Sequence, residues 1–190
     1  MEQIVRHAVY LIMFDDFAKH PAAGDARESI DWRRYAPGRD APALAALFRA
    51  SVTALAASHY DAAQRAAWAA AADDLADFDV RLARGVTLVA QSGGAAVAFG
   101  QLFPLDHVEM LYVAPAWSRR GIATAMLARF EALARAARSS VLTVDASALS
   151  RPVFERAGFS LISSELVLCD GVSLPRFHLC KPLHAANFSG

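Results

Sequence analysis

The stretch richest in chemistry is Leu111-Tyr112-Val113-Ala114-Pro115-Ala116-Trp117-Ser118-Arg119-Arg120-Gly121-Ile122-Ala123-Thr124, which reads as a strand passing through a tight turn into a helix. Such a turn suits a diphosphate. At a helix start about four backbone N–H groups lack an internal partner and the macrodipole adds partial positive charge, so an anion meets donors already in place. Gly121 and Ala123 keep bulk away from the main chain, and Arg119 and Arg120 add charge. On the Arg-Arg-Gly triplet alone, a plain strand-to-helix connection with solvated arginines is the better reading. A P-loop does not fit because no Gly-Lys-Ser/Thr follows, and a dinucleotide fingerprint does not fit because the second glycine and the downstream acid are misplaced.

The elements that must position this turn show in the flanking periodicities. Ile122, Met126, Phe130, Leu133 and Ala137 recur at steps of three and four, which predicts a one-faced helix over 120–137. Ahead of it, 87–91 and 95–103 predict two strands joined at Ser92-Gly93-Gly94, and His107–Val113 a third that stops at Pro115. Further upstream, 29–35 reads as an edge strand ended by Pro37 and Gly38. A helix follows with Asp40 as N-cap, Pro42 in its first turn and a stripe of Leu44, Leu47, Phe48, Val52 and Leu55. Asp61 is expected to cap a second helix through Trp68, and Asp73 or Asp74 a third that carries Leu75, Phe78 and Leu82 and stops at Gly85. Downstream, 141–144 fits a buried strand, 149–156 a short helix closed by Gly158, and 159–169 with 172–179 a hairpin turning at Asp170-Gly171. Strands before and after one long central helix predict a mixed sheet, classed α/β (α+β).

Composition narrows the partners. A chain of 190 residues, 55% hydrophobic, is long enough for one buried α/β core and short for two, so 28–190 is expected to be a single domain. Residues 1–27 stay open between an extra strand, a mobile arm and an artefact of start-codon choice. Nineteen acidic and nineteen basic residues cancel, and nothing in that balance calls for nucleic acid, an anionic membrane or a polyanionic substrate. The apolar run 8–14 falls well short of the roughly 20 residues that span a bilayer and has no signal-type cleavage site, so a cytoplasmic location is the default expectation. Cys169 faces Val172 in the expected register, and Cys180 faces a residue near Leu161. Both are therefore expected as free thiols, and with no CxxC or HxxxH spacing no metal site is expected.

Val113-Ala114-Pro115 and Arg120-Gly121-Ile122-Ala123 resemble motif A of the GNAT superfamily of N-acetyltransferases in type and spacing. Ser118 departs from it, standing where the family usually has Gln or Arg. The run Ala148-Leu149-Ser150-Arg151-Pro152-Val153-Phe154-Glu155-Arg156-Ala157-Gly158-Phe159 resembles the family's short helix ending in Gly-Phe, and the likeness extends over roughly 32–183. The resemblance implies a mostly antiparallel central sheet flanked by helices. It also implies that acetyl-CoA lies across the splayed ends of the strands at 111–113 and 141–145. The backbone of Leu111 and Val113 would pair with the pantetheine arm, and Arg119, Arg120, Gly121, Ile122, Ala123 and Thr124 would hold the pyrophosphate. Tyr112, Ser118, Ser150 and Phe154 complete the implied cofactor set.

The same resemblance gives the reaction as direct attack of a primary amine, from a small molecule or a peptide, on the acetyl group. Glu109 is the expected general base and His107 the second choice. Strand alternation would place both on one face with Leu111 and Val113, although each also reads as a solvated strand-end residue. Phe154 stands where a proton-donating tyrosine is expected, which leaves water, Ser150 or Tyr112 to protonate the thiolate. The acceptor pocket is expected near His59 and Tyr60, with Trp68, Phe177 and His178 weighed against plain packing. A homodimer through the closing hairpin is left open. Two other functions stay in play: a non-catalytic acyl-CoA sensor on the same fold, which the carboxylate of Glu109 argues against, and a protein acetyltransferase with an open groove.

Overall fold

The computed structural model describes residues 29–169 and 171–183, so the arm at 1–27 and the turn residue Asp170 lie outside the described residues. Seven strands make one sheet: β1 Asp31–Arg34, β2 Val86–Ser92, β3 Ala95–Leu102, β4 His107–Val113, β5 Val141–Ala146, β6 Ser160–Cys169 and β7 Val172–Pro182. Their order is β1-β2-β3-β4-β5-β7-β6, antiparallel throughout except for the parallel pair β4 and β5. The helices are α1 Ala41–Leu55, α2 Ala62–Ala69, α3 Leu75–Leu82, α4 Ile122–Ala136 and α5 Arg151–Arg156. This is the mixed, mostly antiparallel sheet flanked by helices that the sequence predicted.

Each face of the sheet buries one of the predicted stripes. On one side Ile122, Met126, Phe130 and Leu133 of α4 pack on Val86, Leu88, Val108, Leu142 and Val144. On the other, Leu44, Leu47, Phe48 and Val52 of α1 and Phe78 and Leu82 of α3 pack on Val89, Phe99 and Met110. Central strands buried on both faces explain the nearly continuous apolar run of β2. The stretch Ala41–Ser58 is long and apolar enough by count to match a membrane span, yet its apolar stripe is spent on this packing.

Hydrogen bonding settles several local expectations and corrects that for Asp40. Asp40 occupies the N-cap position of α1 but caps nothing there. Its carboxylate instead accepts from the Arg33 guanidinium and, at 2.8 Å, from the Ala36 N–H. Asp61 forms a reciprocal capping box with Gln64, and Asp74 rather than Asp73 caps α3. Helix α3 ends at Leu82, ahead of Gly85. The closing carbonyls go to buried side chains: Thr87 Oγ1 donates to Leu82 O at 2.7 Å, and Gln101 Nε2 donates to Arg81 O and Arg84 O, each at 2.7 Å. Helix α5 starts at Arg151 because Ser147 and Ser150 close a turn on each other first, each N–H donating to the other's Oγ at 3.0 and 3.1 Å. The registers Cys169↔Val172 and Ser160↔Cys180 keep the two thiols apart, and neither forms a disulfide.

Gly100 sets how closely α4 approaches the sheet. A Cβ there would meet Met110 O and the Phe130 ring, each at 2.9 Å. Gly100→Ala should lower the unfolding free energy by about 1–3 kcal/mol, seen as a reduced urea midpoint at unchanged slope.

Candidate active site

The site begins where two strands part. β4 and β5 pair only at His107↔Thr143 and Val108↔Val144, beside a bond from Thr143 N–H to Asp106 O at 2.8 Å. Beyond that β4 continues on β3 while β5 continues on β7. The register shows why: Gln101 faces Met110 but Leu102 faces Val108, so Glu109 is an extra residue bulged out of β4. A bulge raises the local twist and turns the strand away from its neighbour.

The bulge also overturns the expected alternation. Val108, Leu111 and Val113 all pack on the α4 side, whereas Met110 and Tyr112 belong to the α1 side. His107 lies on the face opposite Val108 and Val144, with Nδ1 2.9 Å from Thr143 Oγ1 and Nε2 3.9 Å from Glu109 Oε2. Glu109 and His107 therefore do not share a face with Leu111 and Val113. The Thr143 hydroxyl has one proton and gives it to Asp106 O at 3.0 Å. The ring must then donate from Nδ1, which leaves the Nε2 lone pair on the Glu109 side.

Between the parted strands lies a cavity of about 230 Å³. β4 contributes Glu109, Met110, Leu111 and Tyr112 to its wall, the end of β5 contributes Asp145 and Ala146, and Ser147 follows just beyond. Ser150 and Phe154, Ser51 and Val52 of α1, Tyr60 and Trp68 on the α2 side, and Pro175 and Arg176 of β7 also line it. The cavity thus gathers Glu109, Leu111, Tyr112, Ser150, Phe154 and Tyr60, but not His107, Val113 or the exposed His59. Tyr60 is 4% exposed and its hydroxyl accepts from Ala148 N–H at 2.9 Å. Tyr112 stands among Phe48, Phe99 and Trp68 at centroid distances of 4.6, 5.4 and 6.5 Å. Burial pushes its phenol up to about 12, and the charge of Glu109 acts in the same direction.

The turn after β4 has the features of an anion cradle. Arg119 at φ 61° and Gly121 at φ 82° both take left-handed backbone, which for the arginine costs about 1–2 kcal/mol and must be held by its surroundings. The first helical bond of α4 runs from Ala125 N–H to Gly121 O at 2.9 Å and no side chain caps the helix. The N–H groups of Ile122, Ala123 and Thr124 therefore have no intrahelical acceptor. Nothing lies within 4 Å of a Cβ placed on Gly121, and the Arg120 guanidinium lies 4.6 Å from the Trp117 ring. Open space, unspent donors and two arginines fit a diphosphate.

A charged network that the sequence did not reveal borders the cavity. His178 Nδ1 is 2.5 Å from Asp145 Oδ1 and Nε2 is 3.0 Å from Glu165 Oε1, while Arg176 also pairs with Glu165. These residues come from β5, β6 and β7, and only the cross-strand register unites them. The Asp145 hydrogen bond, seconded by Glu165, raises the His178 pKa above the ordinary imidazole value. No grouping of three His, Cys, Asp or Glu suited to a metal occurs among the described residues.

Comparison with known proteins places this geometry. Residues 56–176 match the family described as "Acetyltransferase (GNAT) domain". The chain is 36% identical over 158 residues to the uncharacterized N-acetyltransferase YafP of Escherichia coli K12, covering 82% of this chain and 99% of that one. It superposes on a GCN5-related N-acetyltransferase from Rhodopseudomonas palustris with TM-score 0.79 and 37% identity, over 84% of this chain and all of that chain. The PaiA N-acetyltransferase of Thermoplasma acidophilum, solved in complex with coenzyme A, shares the fold at TM-score 0.64 and 16% identity, over 81% and 99% of the two chains.

The raised His178 pKa has a pH consequence. The folded-state value lies above the unfolded one, so the ion pairs contribute stability fully below about pH 6.5 and lose it as pH rises through the raised value. An NMR titration should find this ring protonating at higher pH than a free imidazole, and Asp145→Asn should move it back toward that reference.

Proposed function

The chain belongs to the GNAT acetyltransferase family, and from that premise we propose that it transfers the acetyl group of acetyl-CoA to a primary amine of a small molecule or peptide, with Glu109 as general base. Acetyl-CoA is the cosubstrate of this family and supplies an activated acyl group bound through a thioester. The observation that carries the proposal is the opening between β4 and β5, lined by the bulged carboxylate of Glu109 and followed directly by the anion cradle at 119–124.

Each part of that arrangement has a task. Ile122, Ala123 and Thr124 would offer main-chain donors to the diphosphate, with Arg119 and Arg120 adding charge. Main-chain groups of β4 that β5 no longer pairs are free on the cleft side to hold an extended arm, and an N–H near Val113 can stabilise the oxyanion as the tetrahedral centre forms. An alkyl amine is mostly protonated at neutral pH and must lose a proton before it attacks. Glu109 sits in the cavity wall to take it, directly or through water, and the lone pair of His107 Nε2 lies 3.9 Å behind to share or pass the proton on. The aromatic wall of Tyr60, Trp68 and Tyr112 gives the acceptor a surface to pack on.

Acetyl-CoA should raise the wild-type melting temperature saturably, and Gly121→Glu should abolish that rise by filling the cradle. Glu109→Gln should keep the rise yet lower kcat about a hundredfold in an amine assay read by thiol release. An unaltered rate in that variant would remove Glu109 from the role, and no rise in the wild type would remove acetyl-CoA.

A further inference from the structure

Aminolysis of a thioester expels sulfur, and an alkyl thiolate leaves faster when a proton or strong hydrogen bond reaches it as the C–S bond breaks. The cavity wall must supply that group, and Phe154 in the wall has none to give. The Tyr112 ring belongs to the α1 side, packed among Phe48, Phe99 and Trp68. Ser147 and Ser150 face each other with their oxygens 3.0 Å apart, and each takes the other's N–H.

Tyr60 differs from all three. It arrives from the junction ahead of α2, its ring held edge-on by Trp68 at 5.5 Å, and reaches across to the loop that follows β5. Its oxygen accepts from Ala148 N–H at 2.9 Å, its own proton has Pro175 O at 3.5 Å, the outer limit of a hydrogen bond, and the Ser147 hydroxyl lies beside it as a second polar partner. The phenol is thus anchored through its acceptor side at the β5 end of the cavity while its donor side is held only weakly. Glu109 stands on the β4 wall.

We propose that Tyr60 is the general acid of the transfer, its hydroxyl protonating the coenzyme A sulfur, with Ser147 and Ser150 behind it as the route by which the phenol regains a proton. The proposal rests on the acetyl-transfer reading above. The amine, one proton already lost to Glu109, attacks the carbonyl carbon. A C–N bond forms, the C–S bond breaks, and its electron pair goes to sulfur, which takes the Tyr60 proton. The second proton on nitrogen leaves to solvent and replaces the one Tyr60 gave. In sum, ammonium and thioester become amide, thiol and one proton. Burial raises the Tyr60 pKa, against the opposing pull of the Ala148 N–H and the Ser147 hydroxyl, so the group stays protonated near neutrality.

A phenol that merely pins the loop would not affect the titration of a bound thiol, and that separates the two roles. The pH dependence of thiolate ultraviolet absorbance should show coenzyme A bound to the wild type with a thiol pKa lower than free coenzyme A by about one unit or more, a tenfold gain in thiolate. Tyr60→Phe should return that pKa to the free value or above, keep the coenzyme A thermal shift, and lower kcat about a hundredfold at unchanged KM for acetyl-CoA. A wild-type bound thiol that titrates at or above the free value overturns the proposal even if Tyr60→Phe does not fold, and so does a folded variant that keeps the lowered value. Absence of any coenzyme A thermal shift in the wild type instead sinks the acetyl-transfer reading, and this proposal with it.

Discussion

After Val108 the fourth and fifth strands no longer hydrogen-bond to each other, and a seven-stranded sheet is held open in its middle. Peptide groups turned toward that gap need water or a ligand, since leaving one unpaired costs about 1–3 kcal/mol. The sheet tolerates the gap because other contacts bridge it. Met126 and Phe130 of α4 belong to a core cluster that includes Val108 of β4 together with Leu142 and Val144 of β5. Lys181 of β7 ties Glu131 of α4, at 2.5 Å, to Ala157 O after α5, at 2.6 Å. Gly100 lets Phe130 sit low enough on the sheet for that core to close. An extended ligand arm laid in the gap would act as a missing strand.

The bulge at Glu109 does two things with one residue. It splays the strands, and it shifts β4 by half a period so that Leu111 and Val113 continue the apolar α4 face while Glu109 and His107 join the polar face that continues through Thr143, Asp145 and His178. A carboxylate thereby enters the cavity wall without being buried in it, since its side chain stays 36% exposed. Tyr112 next to it is a phenol that burial keeps protonated near neutrality.

Features written locally in the chain were legible in the sequence. The three- and four-residue steps of Leu44 to Val52 and of Ile122 to Leu133 gave both core helices, and Asp61 gave the N-cap of α2. Gly93 and Gly94, at φ 56° and 82°, gave the β2–β3 hairpin. The turn at Arg119 to Gly121 was legible because backbone at a helix start has few ways to be arranged. Features that need two distant segments were not. The bulge is a mismatch in residue count between β3 and β4, and neither strand alone carries it. Asp40 had the right type for a cap but found Arg33 nearer, and the Asp145–His178–Glu165 contacts depend on the register of three strands. Residue type sets what a side chain can do, and tertiary pairing decides which offer is taken.

Tyr60 illustrates that last step. The sequence offered it only as part of an acceptor pocket, because its chemistry depends on a partner 88 residues away. A phenol buried to 4% exposure needs a hydrogen bond to offset its desolvation. The Ala148 N–H supplies one, and because it donates, it occupies a lone pair and not the proton. The bond that makes the burial tolerable is therefore the bond that leaves the phenolic proton only weakly held. Had a carbonyl taken the proton at a short distance instead, Tyr60 would be a structural pin with nothing left to give. The direction of one hydrogen bond thus separates packing from chemistry at this position, and it does so whichever element of the fold the hydroxyl comes from.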